Sequence, residues 1–107
     1  MPQGELHTLY CRISAGVFSG ELIFEIPLPD GSTHTGAGST RYFMTRDGRR
    51  LLQGLAKNEE IDGLVAAKLL KKEGHKVLAS VPDGEVIWVD EDQISEHSLA
   101  STPSVPV

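Results

Sequence analysis

Two Pro-Asp-Gly tripeptides, each flanked by strand-like runs, constrain this chain more than any other feature. The first, at residues 29–31, follows residues 22–26, where alternate side chains form one apolar and one mixed face. The second, at residues 82–84, joins two runs rich in β-branched residues. Proline fixes φ, aspartate accepts local hydrogen bonds and glycine tolerates positive φ, so both tripeptides predict tight β-hairpins.

Two further segments extend this pattern into a fold. In residues 6–14 the side chains alternate between two faces, and Leu9, Cys11 and Ile13 share one of them. Residues 32–37 are predicted to form a polar, threonine-rich strand suited to a sheet edge. The sequence thus predicts two three-strand meanders, 6–43 and 63–95, and it suggests an internal duplication. We expect one mainly β domain at 1–96, a small antiparallel partial barrel of five to six strands.

Residues 59–73 admit two interpretations. A helix is indicated by apolar residues at helical spacing, by acids that lead and lysines that trail, and by Gly74 at the C-terminal cap position. A strand is favoured because Gly63 would weaken a helix interior and because the second meander needs a strand there. We adopt the strand, and an α+β fold with a helix at about 59–73 is the alternative.

Residues 63–95 resemble the SH3-like small barrels. The matching residues are Val77–Val81, the Pro82-Asp83-Gly84 turn, Trp88-Val89 and Ile94. The resemblance implies an SH3-like strand order in the second half, and it is limited to the fold because this stretch contains no catalytic motif. Trp88 is the single aromatic residue of this stretch, so we do not expect binding to proline-rich motifs.

The predicted core and its limits follow from the strand assignments. Five large residues on alternating strands are expected to pack together: Leu22, Phe24, Ile26, Val77 and Trp88. Residues 97–107 are rich in serine and proline and poor in apolar residues, so they are predicted to form a disordered tail.

Residues that could carry chemistry are sparse. Cys11 is the only cysteine and belongs to an apolar strand face, which predicts an inert thiol. The four histidines are scattered, and the chain has no hydrolase, metalloprotease or phosphate-loop motif. We therefore expect no metal, no cofactor and no catalysis. The chain has no apolar run long enough to cross a membrane and no signal-peptide pattern at its start, so we expect a cytoplasmic protein.

The Arg-rich segment, residues 40–50, is the strongest functional candidate. Its candidate binding residues are Arg41, Tyr42, Arg46, Arg49 and Arg50. Arginine with aromatic residues suits protein interfaces and also phosphates and stacked bases. A net charge of −5 disfavours polyanions, so protein binding or self-association is our main hypothesis. A nucleic-acid-associated module that uses residues 41–50 is the first alternative, and an enzyme whose site forms at an oligomer interface is the second.

Overall fold

A computed structural model describes residues 5–100 and assigns most of them to β-strands. Two 3₁₀ turns, Thr40–Tyr42 and Glu91–Gln93, precede the fourth and eighth strands. The eight strands are β1 (Glu5–Ala15), β2 (Glu21–Pro27), β3 (Thr33–Ser39), β4 (Phe43–Thr45), β5 (Glu60–Glu73), β6 (Lys76–Ser80), β7 (Val86–Asp90) and β8 (Ile94–Ala100). The predicted mainly β class is confirmed.

All strand pairings are antiparallel, and the sheet curls into a half-barrel. Six strands form a continuous hydrogen-bonded path in the order β3-β2-β1-β5-β6-β7. Strands β4 and β8 lie off this path and pair with β5 and β1. The partial barrel of five to six strands is thus confirmed, with two further strands that the sequence pattern did not predict.

Strand β5 is the segment with two interpretations, and the helical alternative is wrong. Its first half pairs with β1, from His7↔Ala67 to Ser14↔Glu60, and its second half pairs with β6. Residues 63–67 are buried without interruption. A strand covered on both faces shows no alternation in sequence, and this is why its pattern resembled that of a helix.

Two apolar clusters lie on the two faces of the central strands. The larger cluster lies on one face and includes Leu9, Phe24 and Val65, all fully buried. The smaller cluster lies on the other face beneath β4 and β8 and contains Met44, Leu64, Ala66 and Leu99. The long strands β1 and β5 therefore contribute side chains to both clusters.

Trp88 is a correction to the predicted core. Four of the five expected core residues, Leu22, Phe24, Ile26 and Val77, are buried in the larger cluster. On β7 it is Val89 that is fully buried and Ile87 that packs against the cluster, so Trp88 lies on the opposite face and is partly exposed. Both faces of this strand are apolar, and the pattern alone did not indicate which one faces inward.

The order strand-strand-strand-3₁₀-strand occurs twice along the chain, in a first unit that contains β1 to β4 and a second unit that contains β5 to β8. In each unit the first three strands form a meander, and the fourth pairs with the first strand of the other unit, β4 with β5 and β8 with β1. The turns between the second and third strands also match, because Gly31 and Gly84 both have φ of 91°. Internal duplication stays a hypothesis that this correspondence supports.

The predicted boundary of the disordered tail is wrong, because residues 97–100 belong to β8. Leu99 is only 2 % exposed and pairs with Leu6 of β1. The remaining residues of the predicted tail, 101–107, lie outside the described residues.

Candidate binding cleft

The Arg-rich segment forms β4 and the turns around it. Phe43 is fully buried, and Tyr42 packs partly buried against both apolar clusters. The guanidinium group of Arg46 donates a hydrogen bond to the carbonyl of Gly63 at 3.1 Å. It also lies 4.6 Å from the centre of the Tyr10 ring, a cation–π distance. Arg46 thus fastens β4 to the central strands.

Two other arginines of this segment also contact the chain itself. Arg49 pairs with Asp47 at 3.4 Å, and Arg50 donates to the carbonyl of Arg41 at 3.3 Å. The predicted site residues therefore lie along one segment, and the guanidinium groups of Arg46, Arg49 and Arg50 each contact a different acceptor of the chain itself.

A cleft of about 500 Å³ lies elsewhere, where the β2–β3 turn approaches β7. We call it the β7 cleft. Its apolar lining comes from Leu28 and Pro29 of the turn and from Ile87 and Trp88 of β7. Asp30, Glu73 and Lys76 line it as well. An apolar lining with a few charged groups is typical of a site that accepts an apolar group from a ligand.

The β2–β3 turn holds its side of the cleft in a defined shape. Leu28 donates its N–H to the carbonyl of Ser32 at 2.9 Å, and Gly31 donates to the carbonyl of Leu28 at 3.0 Å. The Asp30 carboxylate accepts hydrogen bonds from the Ser32 hydroxyl, at 2.6 Å, and from the Ser32 N–H, at 2.9 Å. These bonds hold the pKa of Asp30 below its ordinary value. Pro29 is therefore presented on a closed, hydrogen-bonded loop.

The other side of the cleft is the outer edge of β7, which has no partner strand within residues 5–100. β7 ends the hydrogen-bonded strand order, and successive strand residues point to opposite faces. A cleft lined by both Ile87 and Trp88 therefore runs along the edge of the strand rather than over one face. A ligand approaching from the side can reach both residues.

The backbone of this edge is available for hydrogen bonding. In an antiparallel pair, every second residue of a strand forms hydrogen bonds with the partner strand. In the β6–β7 hairpin, the N–H of Val81 donates to the carbonyl of Glu85 at 3.0 Å, and this bond fixes which residues of β7 bond to β6. The alternation directs the backbone groups of Ile87 and Val89 towards β6. Those of the intervening residues, including Trp88, point away from β6.

A second hollow of about 460 Å³ lies over β1 and is lined by charged groups of both signs. Among these, Arg12 is paired with Glu60 at 3.1 Å and with Asp62 at 3.5 Å. Cys11 also lines it, but burial raises the pKa of its thiol to about 12. A thiol with that pKa is protonated at neutral pH and is a poor nucleophile, which leaves this hollow without an evident reactive group.

The cleft residues were missed at the level of sequence because Trp88 was assigned to the core. Leu28, Pro29 and Asp30 come from a turn that is distant from β7 in the chain, whereas Glu73 and Lys76 belong to the neighbouring β5–β6 hairpin. One signal was present: Trp88 alternates with Ile87 and Val89, so one of the two apolar faces of β7 had to remain outside the core.

Within residues 5–100, no three histidine, cysteine or carboxylate side chains are grouped as a metal site would need. In the same part of the chain, no helix has the length and apolar character to span a bilayer. Comparison with protein-family models, with curated proteins and with solved structures finds no match.

Proposed function

We propose that this protein is a binding domain that takes a short apolar segment of another protein chain into the β7 cleft. The observation that carries the proposal is the cleft itself, with proline, leucine, isoleucine and tryptophan side chains at a sheet edge that no strand of the described residues covers. Such residues form the desolvated pockets into which an interface anchor inserts. The proposal requires no catalysis.

The energetics favour a ligand with one or two large apolar side chains. Burying one such side chain stabilises a complex by roughly 1.5–3 kcal/mol before the cost of association is subtracted. The outward backbone groups of β7 can add hydrogen bonds to an extended ligand. The hydrogen-bonded β2–β3 turn lowers the entropic cost, because one wall of the cleft is already ordered.

The Arg-rich segment supports binding less well than the cleft does. Arg46 and Arg50 donate to carbonyls of the chain, and Arg49 pairs with Asp47. A phosphate or carboxylate ligand would have to compete with these contacts. The net charge of −5 adds unfavourable long-range repulsion for a nucleic acid.

The test uses Trp88, which is the only tryptophan of the chain and therefore reports on the cleft alone. Capped hexapeptides with a central Phe-Leu pair are titrated against the protein, and matched peptides carry Ser-Ser instead. We expect a saturable blue shift of the Trp88 emission with the Phe-Leu peptide only.

Two variants make the result specific. Trp88→Ala should abolish peptide binding measured by calorimetry, while Leu52→Ser should leave it unchanged, because Leu52 is an exposed leucine that does not line the cleft. Equal binding by Trp88→Ala and wild type, or no saturable binding of any apolar peptide at millimolar concentration, would contradict the proposal.

A further inference from the structure

The tip of the β1–β2 hairpin carries the most exposed large apolar side chains of the described residues. Val17 is 82 % exposed and Phe18 is 71 % exposed. They are adjacent in sequence and lie in the loop that connects β1 to β2. Single exposed apolar residues are ordinary on protein surfaces, but a neighbouring pair at a protruding tip is a candidate contact element.

The tip is braced by one side chain. The Glu21 carboxylate accepts hydrogen bonds from the N–H of Val17, at 3.1 Å, and of Phe18, at 3.4 Å. Backbone bonds between Gly16 and Glu21, at 3.1 Å, and between Glu21 and Phe18, at 3.2 Å, close the loop. The two apolar side chains are therefore presented in an ordered loop, which lowers the entropic cost of a contact.

Charge indicates how a second copy could approach. Two copies with a net charge of −5 each repel one another in general. The tip is an exception, because residues 13–20 carry no charged side chain. The two protruding side chains are neutral, and the Glu21 carboxylate at the base of the tip is bonded to the N–H groups of Val17 and Phe18. The charged groups of the cleft lining have both signs, Lys76 beside Asp30 and Glu73.

The geometry excludes contact of a tip with the cleft of its own chain. β2 runs from the tip at its start to the β2–β3 turn at its end and contains seven residues. A strand of that length spans roughly 23 Å, so the tip and the cleft lie at opposite ends of one strand. Any contact between them must join two molecules.

We propose that the Val17–Phe18 tip of one copy occupies the β7 cleft of a second copy. This inference rests on the proposed function, since it names the segment that the cleft receives. The two contacting surfaces differ, so the association forms either a reciprocal two-fold dimer or a head-to-tail ring or open chain. One tip buries far less than the roughly 1,200 Å² of a stable interface, so we expect weak, concentration-dependent association.

The first experiment follows wild type, Phe18→Ser and Trp88→Ala by sedimentation up to millimolar concentration, with Leu52→Ser as the exposed-leucine control. Wild type and the control should self-associate, and the other two should remain monomeric. Circular dichroism confirms that all four are folded. A wild type that stays monomeric, or a Phe18→Ser or Trp88→Ala variant that still associates like wild type, would overturn the inference.

The second experiment mixes the two monomeric variants. Phe18→Ser keeps an intact cleft and Trp88→Ala keeps an intact tip, so the mixture should form one-to-one dimers and nothing larger. Only the Phe18→Ser chain contains tryptophan, so its emission should shift to the blue as its cleft fills. A mixture that remains monomeric while wild type associates would show that another surface is responsible, which overturns the inference.

The peptide titration separates failure of this inference from failure of the proposed function. If Phe18→Ser binds the Phe-Leu hexapeptide while wild type stays monomeric, the cleft is a binding site and its occupant is not a second copy. If neither peptide binding nor self-association occurs, the proposed function fails and this inference fails with it.

Discussion

Gly63 lies where three strands meet. It pairs with Cys11 of β1 on one side and with Thr45 of β4 on the other, and its carbonyl accepts the hydrogen bond from Arg46. A Cβ at this position would collide with the end of the Ile13 side chain and would lie 2.8 Å from the carbonyl oxygen of Met44. The absence of a side chain at Gly63 is what lets β4 approach β5.

Gly63→Ala should therefore destabilise the protein by about 1–3 kcal/mol, the usual range for overpacking a filled site. Lys68→Ala, an exposed position on the same strand, should change stability by less than about 0.5 kcal/mol. Urea unfolding followed by circular dichroism measures both. Equal urea midpoints for Gly63→Ala and Lys68→Ala would contradict this prediction, because they would show that β4 and β5 accommodate the added methyl group without loss of stability.

His75 and Glu91 form an exposed ion pair at 2.8 Å, and Lys72 also reaches Glu91, at 3.1 Å. The hydrogen bond to Glu91 raises the pKa of His75 above 6.5. The same bond, together with Lys72, lowers the pKa of Glu91 below 4.5. The histidine contribution is full below pH 6.5 and is lost as pH rises through the raised pKa. The carboxylate contribution is full above pH 4.5 and is lost as pH falls through the lowered pKa.

The pair therefore contributes most between about pH 4.5 and 6.5. His75→Ala should lower the melting temperature slightly at pH 5.5 and leave it unchanged at pH 8.5. The effect is small because exposed pairs are screened by solvent. Glu91→Gln should remove the effect of His75→Ala at pH 5.5 in a double-mutant cycle. A larger loss at pH 8.5 than at pH 5.5 would be opposite in sign to this expectation.

At the scale of elements, β8 depends on contacts that are remote in sequence. Leu99 is buried in the smaller cluster with Met44, Leu64 and Ala66. Thr8 of β1, fully buried, donates to the carbonyl of His97 at 2.8 Å. These contacts hold the last described strand against the first.

Leu99→Ala should therefore cost about 2–5 kcal/mol, as for other leucines removed from a core. Glu96→Ala, on the same strand but exposed, is the matched control and should stay within about 0.5 kcal/mol. Thermal unfolding measures both. If Leu99→Ala melts like wild type, residues 97–100 do not dock on β1 in solution.

Whether a strand could be predicted from the sequence depends on whether neighbouring residues or distant ones determine it. β2, the β6–β7 hairpin and both Pro-Asp-Gly turns were predictable, because alternation and turn chemistry act over a few neighbouring residues. β4 has three residues, too few to show a period, and β8 is specified by its pairing with β1, more than eighty residues away. The β7 cleft was unpredictable for the same reason, since the curl of the sheet brings Pro29 next to Trp88.

At the scale of the whole molecule, the two units are interlocked. β4 of the first unit completes the edge of β5, and β8 of the second completes the edge of β1. The fully buried residues of the larger cluster come from both units, Phe24 from the first and Val65 and Val89 from the second. Neither unit can bury its own apolar face alone, so the molecule should unfold in one cooperative transition.

Cutting the chain between Lys57 and Asn58 tests this interlocking. Both residues are exposed, in the connection that precedes β5. Fragments 1–57 and 58–107 should each be unfolded in isolation, because each lacks the first strand to which its last strand pairs and about half of the shared core. Mixed at equal concentration, they should assemble into a one-to-one complex with the β-sheet circular dichroism of the intact chain. A Phe24→Ala version of the first fragment should assemble much more weakly, because the roughly 3–5 kcal/mol lost from the core is then lost from binding. A fragment that folds by itself, with a cooperative melting transition of its own, would contradict the interlocking. It would show that a unit can fold without the pairing of β4 with β5 and of β8 with β1.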